Sequence, residues 1–419
     1  MIDPHSATFL QVFLAFFLLT QATRCWLKLR HIRHVRAHRD AVPPAFADRI
    51  TAEAHRKAAD YTVDRSKVAL IDIAIESLVL IALTLGGGLA ALDTFWSQHL
   101  AGLWYGLAMI FSVMLISGAV DLPVSLYRQF VIEARHGFNR MTLGLFFADL
   151  AKQTLLGAAI GTPLILAVLW LMGTMGDAWW LYVWLFWCGF NLLLLFIFPT
   201  WIAPLFNRFT PLADGEMKSR IEALLGRCGF RSSGLFVMDG SKRSSHGNAY
   251  FTGFGRNKRI VFFDTLLNHL EPAEVEAVLA HELGHFRKRH VVQRIALSFA
   301  GSLALLWVLG QLIDAPWFFS GLGVPAQNTA LALILFFLVV PVFAFPFTPL
   351  GSHLSRRHEF EADAYAAEHA SADDLVRALL KLYRDNASTL TPDPLHSLVY
   401  DSHPPASQRI ARLQPALAR

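Results

Sequence analysis

Long apolar runs constrain the fold of this chain more than any other feature. A helix that crosses a bilayer needs about 20 mostly apolar residues. Seven runs of that kind occur, at residues 7–27, 68–92, 101–123, 154–174, 178–200, 291–313 and 327–349. With 54% hydrophobic and only 16% charged residues, the chain has more apolar surface than a water-soluble protein usually carries. We therefore predict a mainly α-helical, multi-pass integral membrane protein built on a seven-helix transmembrane bundle.

The distribution of basic residues predicts how the bundle is oriented. With the N-terminus outside, the outer segments are 1–6, 93–100, 175–177 and 314–326, and none of them contains Lys or Arg. All 37 basic residues then lie on the inner side or at inner span ends. Because cytoplasmic loops are enriched in Lys and Arg, the long inner segments should be cytoplasmic. The Arg-rich, Lys-poor composition suggests a bacterial inner membrane.

Three inner segments are long enough to fold outside the bilayer. Residues 40–66 follow a Val-Pro-Pro turn and have the pattern of a polar helix. Residues 201–290 contain an amphipathic helix and short strands at SGLFVMD, NAYFTGFG and KRIVFFD. Residues 350–419 are mostly helical in pattern. We expect four regions: 1–200 with five spans and segment 40–66, a lobe at 201–290, two spans at 291–349, and a C-terminal part at 350–419. The water-facing pieces should form one small α+β lobe.

Two acidic residues, Asp72 and Glu76, interrupt the second span at i,i+4 spacing. Ionisable groups at membrane depth usually face protein or water and avoid lipid. They form either a structural polar pair or part of the wall of a water-filled cavity, and their spacing does not choose between the two.

A metal-binding motif lies in VLAHELGHF, residues 278–286. On a helix, His281 and His285 are one turn apart on the same face, so that both imidazoles can reach one zinc ion. Glu282 points too far away to be a ligand but is close enough to accept a proton from a water at the metal. Zinc in catalytic sites generally takes three protein ligands and leaves one position open. The motif therefore predicts a zincin-like hydrolase with one zinc ion.

The context of the motif supports a site just below the membrane. Glu271-Pro272 is a helix-start signal, and the charged sequences EPAEVEA and RKRH flank the motif. Both belong in water, so we expect the motif helix to lie outside the bilayer and to run directly into the sixth span.

The third ligand should come from the segment after the seventh span. Spans six and seven form a hairpin, so SRRHEFEADAYAAEHA at 355–370 returns to the face where the motif helix lies. Ser355 is a candidate N-cap. Glu359 and Asp363, at i,i+4 on one face, fit a metal ligand and a carboxylate that orients it.

Other side chains of this segment suit different roles. His358 and Glu361 face other directions and are predicted to contact solvent or structure. The alternative is that the acidic residues only pair with Arg356 and Arg357.

At these residues the chain resembles the type I CAAX prenyl proteases, the family of the prelamin A-processing and a-factor-converting enzymes. The resemblance covers nearly the whole sequence. It is carried by VPPAF (42–46), AADYT (58–62), FVIEARHGFNRMT (130–142), PTWIAPLFNRFTPL (199–212), SKRSSHGNAYFTGFGRNKRIVFFDTLL (241–267), HELGH (281–285), SRRHEFEADAYA (355–366) and SHPPASQRI (402–410).

The resemblance implies a fold and a role for each site residue. The bundle would enclose a water-filled chamber, lined or braced by Asp72 and Glu76, with zinc at its cytoplasmic end. Glu359 would be the third zinc ligand and Asp363 the carboxylate behind the metal shell. His403 would be a donor near the transition-state oxyanion, and Arg409 a structural partner of the site. The substrate would pair with an edge strand formed by Asn248, Ala249, Tyr250 and Phe251.

These features give one main functional hypothesis and two alternatives. The main one is a membrane zinc metalloendopeptidase that acts on peptides or membrane-protein segments, which can be prenylated at the C-terminus. Its other partner is the lipid bilayer, and no nucleic acid is expected to bind. A quality-control metalloprotease without a prenyl requirement is an alternative of the same class. A non-catalytic binding protein or transporter with structural zinc is an alternative of another class. Glu282 favours an enzyme, because a structural zinc site needs neither that carboxylate nor an open position.

Overall fold

A computed structural model describes residues 3–230, 232–252 and 259–417 of the chain. Its first half is a series of long helices: α1 (Pro4–Ala37), α2 (Ala52–Leu83), α3 (Gly88–Ser97), α4 (Gly102–Tyr127), α5 (Leu143–Thr174) and α6 (Trp179–Ile197). Among the described residues, six helices are long and apolar enough to cross a membrane. The bent pair α2–α3 makes a seventh if the two helices together form one span. The mainly helical membrane fold is confirmed.

The second span differs from the uninterrupted run predicted for residues 68–92. α2 ends at Leu83, and α3 continues at an angle of 50° after a short break. The break falls in a Gly-rich stretch where Gly87 has φ +79°, a left-handed conformation that glycine adopts without steric cost. At its other end α2 begins at Ala52, so the polar helix expected within 40–66 is the water-facing part of the same helix.

The water-facing lobe contains a four-stranded sheet. Its elements are β1 (Phe209–Pro211), α7 (Glu216–Arg227), β2 (Gly234–Met238), β3 (Ala249–Thr252), β4 (Arg259–Phe263), α8 (Asp264–Leu267) and α9 (Pro272–Arg287). The strand order is β1-β2-β4-β3, with β2 parallel and β3 antiparallel to β4. The short β1 was not predicted. The strand predicted at NAYFTGFG is β3 at an edge of the sheet, and residues 253–255 of that prediction lie outside the described residues.

Two membrane helices connect directly to the lobe. After α9 the chain continues with α10 (His290–Leu312), α11 (Pro316–Ser320), α12 (Thr329–Ala344) and α13 (Thr348–His369), and α10 and α12 are the two membrane helices. α9 does not run directly into α10, because Arg289 adopts a left-handed conformation (φ +59°) between them. Ser355 is not an N-cap: α13 begins seven residues earlier at Thr348, after a short 3-10 turn that continues from α12.

The C-terminal helices α14 (Ala372–Asp385), α15 (Pro394–Tyr400) and α16 (Ala406–Leu417) complete the lobe. α14 packs on both α9 and α16. Buried side chains from the sheet, α7, α9, α14 and α16 form one continuous apolar core that includes Ile221, Phe262, Leu279 and Leu375. This core fixes α9 between the sheet and the C-terminal helices, and another face of α9 packs on α13.

A cavity of about 920 Å³ lies among the membrane helices, with residues of α1, α2, α4 and α12 in its wall. Asp72 and Glu76 both line it. They do not pair with each other: the Asp72 carboxylate accepts from Arg128 at 2.7 Å, and the Glu76 carboxylate accepts from Arg24 at 2.8 Å. Paired charges at this depth fit a polar, water-accessible chamber in the bundle.

Candidate active site

Helix α9 carries the HELGH motif in a well-anchored position. Its N-terminus has a capping box, in which Glu271 and Glu274 satisfy each other's backbone N–H groups, with Pro272 in the first turn. Glu274 is buried and accepts from Lys381 of α14 at 2.8 Å. One turn of helix then separates His281 from His285, whose Nε2 atoms lie 3.2 Å apart.

Helix α13 brings Glu359 to the two histidines because α9 and α13 pack very closely. Gly284 makes this approach possible: a Cβ atom at this position would lie 2.9 Å from the Cα of Ala362. The Glu359 carboxylate consequently lies 3.2 Å from His285 Nε2 and 3.4 Å from His281 Nε2. The prediction of Glu359 as the third member of the cluster agrees with this geometry.

The donor set fits a tetrahedral metal ion. One ligand atom each from His281, His285 and Glu359 lies within 4.8 Å of the others. At zinc–ligand distances of about 2.0–2.1 Å, the edges of a tetrahedron are about 3.3 Å long, close to the spacings of these atoms. Glu359 Oε2 is buried and has no hydrogen-bond partner. Its nearest charged or imidazole groups are His281 Nε2 at 3.4 Å and Arg409 Nη1 at 3.7 Å. A buried carboxylate oxygen without a hydrogen bond keeps its lone pairs for a metal ion.

Asp363 and Arg409 support His281 from behind. His281 Nδ1 lies 2.8 Å from the Asp363 carboxylate, which also accepts from Arg409 Nε at 2.8 Å. Burial alone would lower the pKa of His281, but hydrogen bonds to Asp363 and Glu359 raise it to about 9. Burial would likewise raise the pKa of Asp363, whereas its bonds to His281 and Arg409 lower it. The carboxylate is thus ionised and aligns the His281 ring.

Glu359 is ionised for a similar reason. Burial would raise its pKa, but its close contacts with His281 and His285 lower it well below the usual range for a glutamate. Arg409 Nη1 lies 3.7 Å from its carboxylate. His403 Nε2 lies 3.5 Å from the same carboxylate, with 62% of the His403 side chain exposed to the cleft. His403 and Arg409, from the loop and helix after α15, therefore both meet the cluster.

His285 has a support that sequence reasoning missed. Its Nδ1 lies 3.0 Å from Nδ1 of the fully buried His290, and His290 Nε2 lies 3.1 Å from the Glu361 carboxylate. The sequence predicts that Glu361 and His358 contact solvent or structure. His358 stacks on His290 and forms a hydrogen bond with Gln293. Glu361 contacts His290 and so continues the chain of contacts from His285. The only sequence signal was the histidine in RKRH, because the turn at Arg289 that directs it back cannot be read from the sequence.

Glu282 lies in the wall of a cleft beside the cluster. The cleft has a volume of about 630 Å³, and His281, Glu359 and His403 line it as well. Glu282 is half-buried and is not a member of the ligand cluster. Among the described residues, its side chain has no hydrogen bond or ion pair.

The expected substrate strand meets this cleft at one end only. Asn248 and Ala249, at the start of β3, line the cleft, whereas Tyr250 and Phe251 are not among its lining residues. The Tyr250 ring packs edge-on against Phe263, and the Phe251 ring packs against Phe230. The backbone edge of β3 has no strand partner on its outer side among the described residues.

A multi-span helical bundle, a lobe with HELGH and a facing glutamate, and a free carboxylate in the adjoining cleft define a membrane-embedded metallopeptidase. Two family models match the chain: the N-terminal domain of CAAX prenyl proteases, with five membrane helices, over residues 31–208, and peptidase family M48 over residues 211–416. The chain belongs to the CAAX prenyl protease family within peptidase family M48.

Individual relatives are similar over nearly the whole chain. A CAAX prenyl protease 1 homologue of Arabidopsis thaliana is 35% identical over 96% of both chains. The human homologue is 33% identical over 89% of this chain and 88% of its own. The crystal structure of Ste24p from S. mikatae aligns with a TM-score of 0.90 and 31% identity, covering 98% of this chain and 99% of the other. The family assignment, the protease class and the chamber-forming membrane fold are confirmed.

Proposed function

We propose that this protein is a zinc endopeptidase that cleaves peptide segments near the membrane surface, with a C-terminally prenylated polypeptide as its substrate. The observation that carries the proposal is the convergence of His281, His285 and Glu359 around the unpartnered Glu359 oxygen, next to the free carboxylate of Glu282. These are three ligands and one base, the set that a hydrolytic zinc site requires.

The residues around the cluster have distinct chemical roles in this proposal. Zinc held by His281, His285 and Glu359 would supply Lewis acidity toward the scissile carbonyl and lower the pKa of a water molecule. Glu282 accepts the proton of the attacking water and passes it to the leaving amine. His403, at the rim of the cluster, donates a hydrogen bond to the carbonyl oxygen as negative charge develops on it.

Other residues position these groups and the substrate. The Asp363 carboxylate accepts a hydrogen bond from His281 Nδ1–H, and Arg409 holds that carboxylate in place by donating to it. The edge strand of Asn248, Ala249, Tyr250 and Phe251 binds an extended peptide by backbone pairing, which is largely independent of sequence. In this arrangement the segments 201–290 and 350–419 act together as the catalytic lobe, and spans at 1–200 and 291–349 form the chamber.

The substrate class and the location follow from the relatives and from the charge pattern. The relatives bear the name CAAX prenyl protease, so we assign a prenylated C-terminal segment to this cleft. The outer segments contain no Lys or Arg, which supports an N-terminus outside and an active site facing the cytoplasm. Composition supports a bacterial inner membrane as the host bilayer.

The decisive test is the pair of variants Glu282→Gln and Glu276→Gln, both on α9. Glu276 pairs with Arg227 on the lobe surface, away from the cleft, so its variant should keep activity. Glu282→Gln should abolish hydrolysis and keep zinc near one ion per chain, because Glu282 moves protons and does not ligate. Loss of zinc together with activity would contradict this role.

The prenyl requirement has its own measurement. One peptide is offered to the wild type with a farnesylated or an unmodified cysteine, and the rates are compared. Faster cleavage of the farnesylated form supports the assignment, and equal rates favour a quality-control protease. In cells, intact substrates should accumulate in membranes that contain Glu282→Gln in place of the wild type.

A further inference from the structure

Arg65 is a cation in the catalytic cleft that forms no ion pair of its own with a described carboxylate. It lies on the water-facing part of α2, is exposed, and lines both the 630 Å³ cleft and a neighbouring pocket of about 300 Å³. Its guanidinium is held over the ring of Tyr61, at 5.4 Å from the ring centroid. The adjacent Asp64 is bonded to Lys67 and Arg135. Among the described residues, no carboxylate lies within 4 Å of Arg65.

The other charges around the neighbouring pocket are already neutralised. Arg128 pairs with Asp72, and Arg243 binds the buried Asp149 carboxylate at 2.8 Å. Glu133, the acidic residue of this wall, accepts from the Tyr61 hydroxyl at 2.7 Å and lies 3.5 Å from His246. Glu133 lies near enough for the charge of Arg65 to lower its pKa, but its carboxylate is already engaged by Tyr61 and His246. An anion that enters the cleft from the metal side therefore meets Arg65 as a positive charge that is not held in an ion pair.

The N-terminal end of the edge strand β3 lies in the same cleft as Arg65. If a peptide adds antiparallel to β3, its C-terminal end lies at the N-terminal end of β3, next to Asn248 and His246. That end is held firmly: Asn386 Oδ1 accepts from the Gly247 backbone N–H at 3.1 Å, and His246 stacks on Phe138 at 4.3 Å. Since the cleft is lined by Gly247, Asn248 and Arg65 together, the peptide chain would be directed toward the guanidinium.

We propose that Arg65 binds the α-carboxylate of the substrate, so that the cleft selects peptides with a free C-terminus close to the scissile bond. This inference rests on the proposed peptidase function and adds the feature of the substrate that the site reads. Arginine suits the role because its planar fork can donate two parallel hydrogen bonds to a carboxylate. A residue of extended chain spans about 3.3 Å, so a tail of a few residues reaches across the cleft.

The test uses the zinc-loaded, full-length protein in detergent and one substrate peptide in three forms. The first has a free C-terminal acid, the second a C-terminal amide, and the third an amide with glutamate as the last residue. The wild type should cleave the acid about tenfold more efficiently than the amide, mainly through KM, as expected for a charge-assisted hydrogen bond. Arg65→Gln should bring this ratio near one, and Arg65→Lys should keep part of it.

A matched control and a binding measurement separate this inference from the proposed function. Lys67→Gln removes an exposed cation from the same helix and should leave the acid-to-amide ratio unchanged. The peptide with the free C-terminal acid should bind Glu282→Gln enzyme more tightly than the C-terminal amide, and adding Arg65→Gln should abolish the difference. This binding can be measured even if the wild type cleaves no peptide, which would refute only the peptidase. Equal binding of acid and amide, or a preference that follows the glutamate side chain instead of the terminus, would overturn the role of Arg65.

Discussion

Replacement of His290 by phenylalanine tests whether the second zinc histidine is held by a partner of its own. His290 connects His285 to Glu361 through contacts of 3.0 and 3.1 Å. One assignment of protons satisfies both contacts: His285 Nδ1–H donates to His290 Nδ1, and His290 Nε2–H donates to Glu361. His285 Nε2 is then unprotonated and faces Glu359 and the metal position. A neutral imidazole must present an unprotonated nitrogen in order to bind a metal ion.

The size of the effect follows from what phenylalanine removes and what it keeps. The ring of His290 is fully buried and stacks on His358 with centroids 4.0 Å apart. Phenylalanine preserves this stacking but removes both nitrogens. Loss of such an outer partner costs about 10–100-fold in metal affinity, or about 1.4–2.8 kcal/mol. We expect the lower half of this range, because the side chain of Glu361 is 34% exposed and keeps its bond to Arg357.

The assay is a competition titration of zinc against a chelator of known affinity. His290→Phe should lose zinc at a lower chelator concentration than the wild type. His358→Phe is the matched control, because it alters the same stack without touching a metal ligand, and it should retain wild-type affinity. A melting curve of each metal-free protein checks that the fold survives. Zinc affinity of His290→Phe within twofold of the wild type would show that His290 only fills space.

Two further predictions concern the third ligand and the topology. Glu359→Ala should deplete zinc in the purified protein because it removes one of three protein–zinc bonds, whereas Asp363→Asn should cost only about 10–100-fold in zinc affinity. Metal analysis and titration measure both effects. A larger loss of zinc from Asp363→Asn than from Glu359→Ala would contradict the assignment. A cysteine introduced at Ser97 in a variant without the three native cysteines should react with an impermeant thiol reagent in intact cells, and one at Ser219 only after permeabilisation. Labelling of Ser219→Cys in intact cells would place the lobe outside.

The sequence predicted most of the fold because its strongest signals are local. Apolar length alone specifies a membrane helix, and the spans of α1, α4, α5, α6, α10 and α12 lie at the predicted positions. The i,i+4 spacing in HELGH likewise needs only a helix. The prediction that Glu359 lies beside the two histidines required one long-range step, the return of the chain through the hairpin of spans six and seven. That step is reliable because two successive spans must return the chain to the same side of the bilayer.

The features that were missed depend on geometry that sequence patterns do not encode. The break after Leu83 arises from glycine conformations in an otherwise apolar run, which a length criterion cannot detect. Ser355 resembled a helix start, but α13 had already begun at Thr348, where apolar and polar residues follow each other without interruption. The contact of His290 with Glu361 and the position of Arg65 beside Gly247 and Asn248 in the cleft join segments that are far apart in the chain, and they become visible only when the helices are packed.

The site is positioned by the membrane hairpin as much as by the lobe. α9 ends three residues before α10 begins, and α13 follows α12 after a single 3-10 turn. The two histidines and Glu359 are therefore carried by helices that are both rooted in spans six and seven, and Gly284 lets these helices approach closely enough for their ligand atoms to meet. Tyr400 lines both the cleft and the membrane chamber. A displacement of the hairpin would therefore move the three side chains together and preserve the distances between them. The hairpin also sets the height of the cluster relative to the chamber.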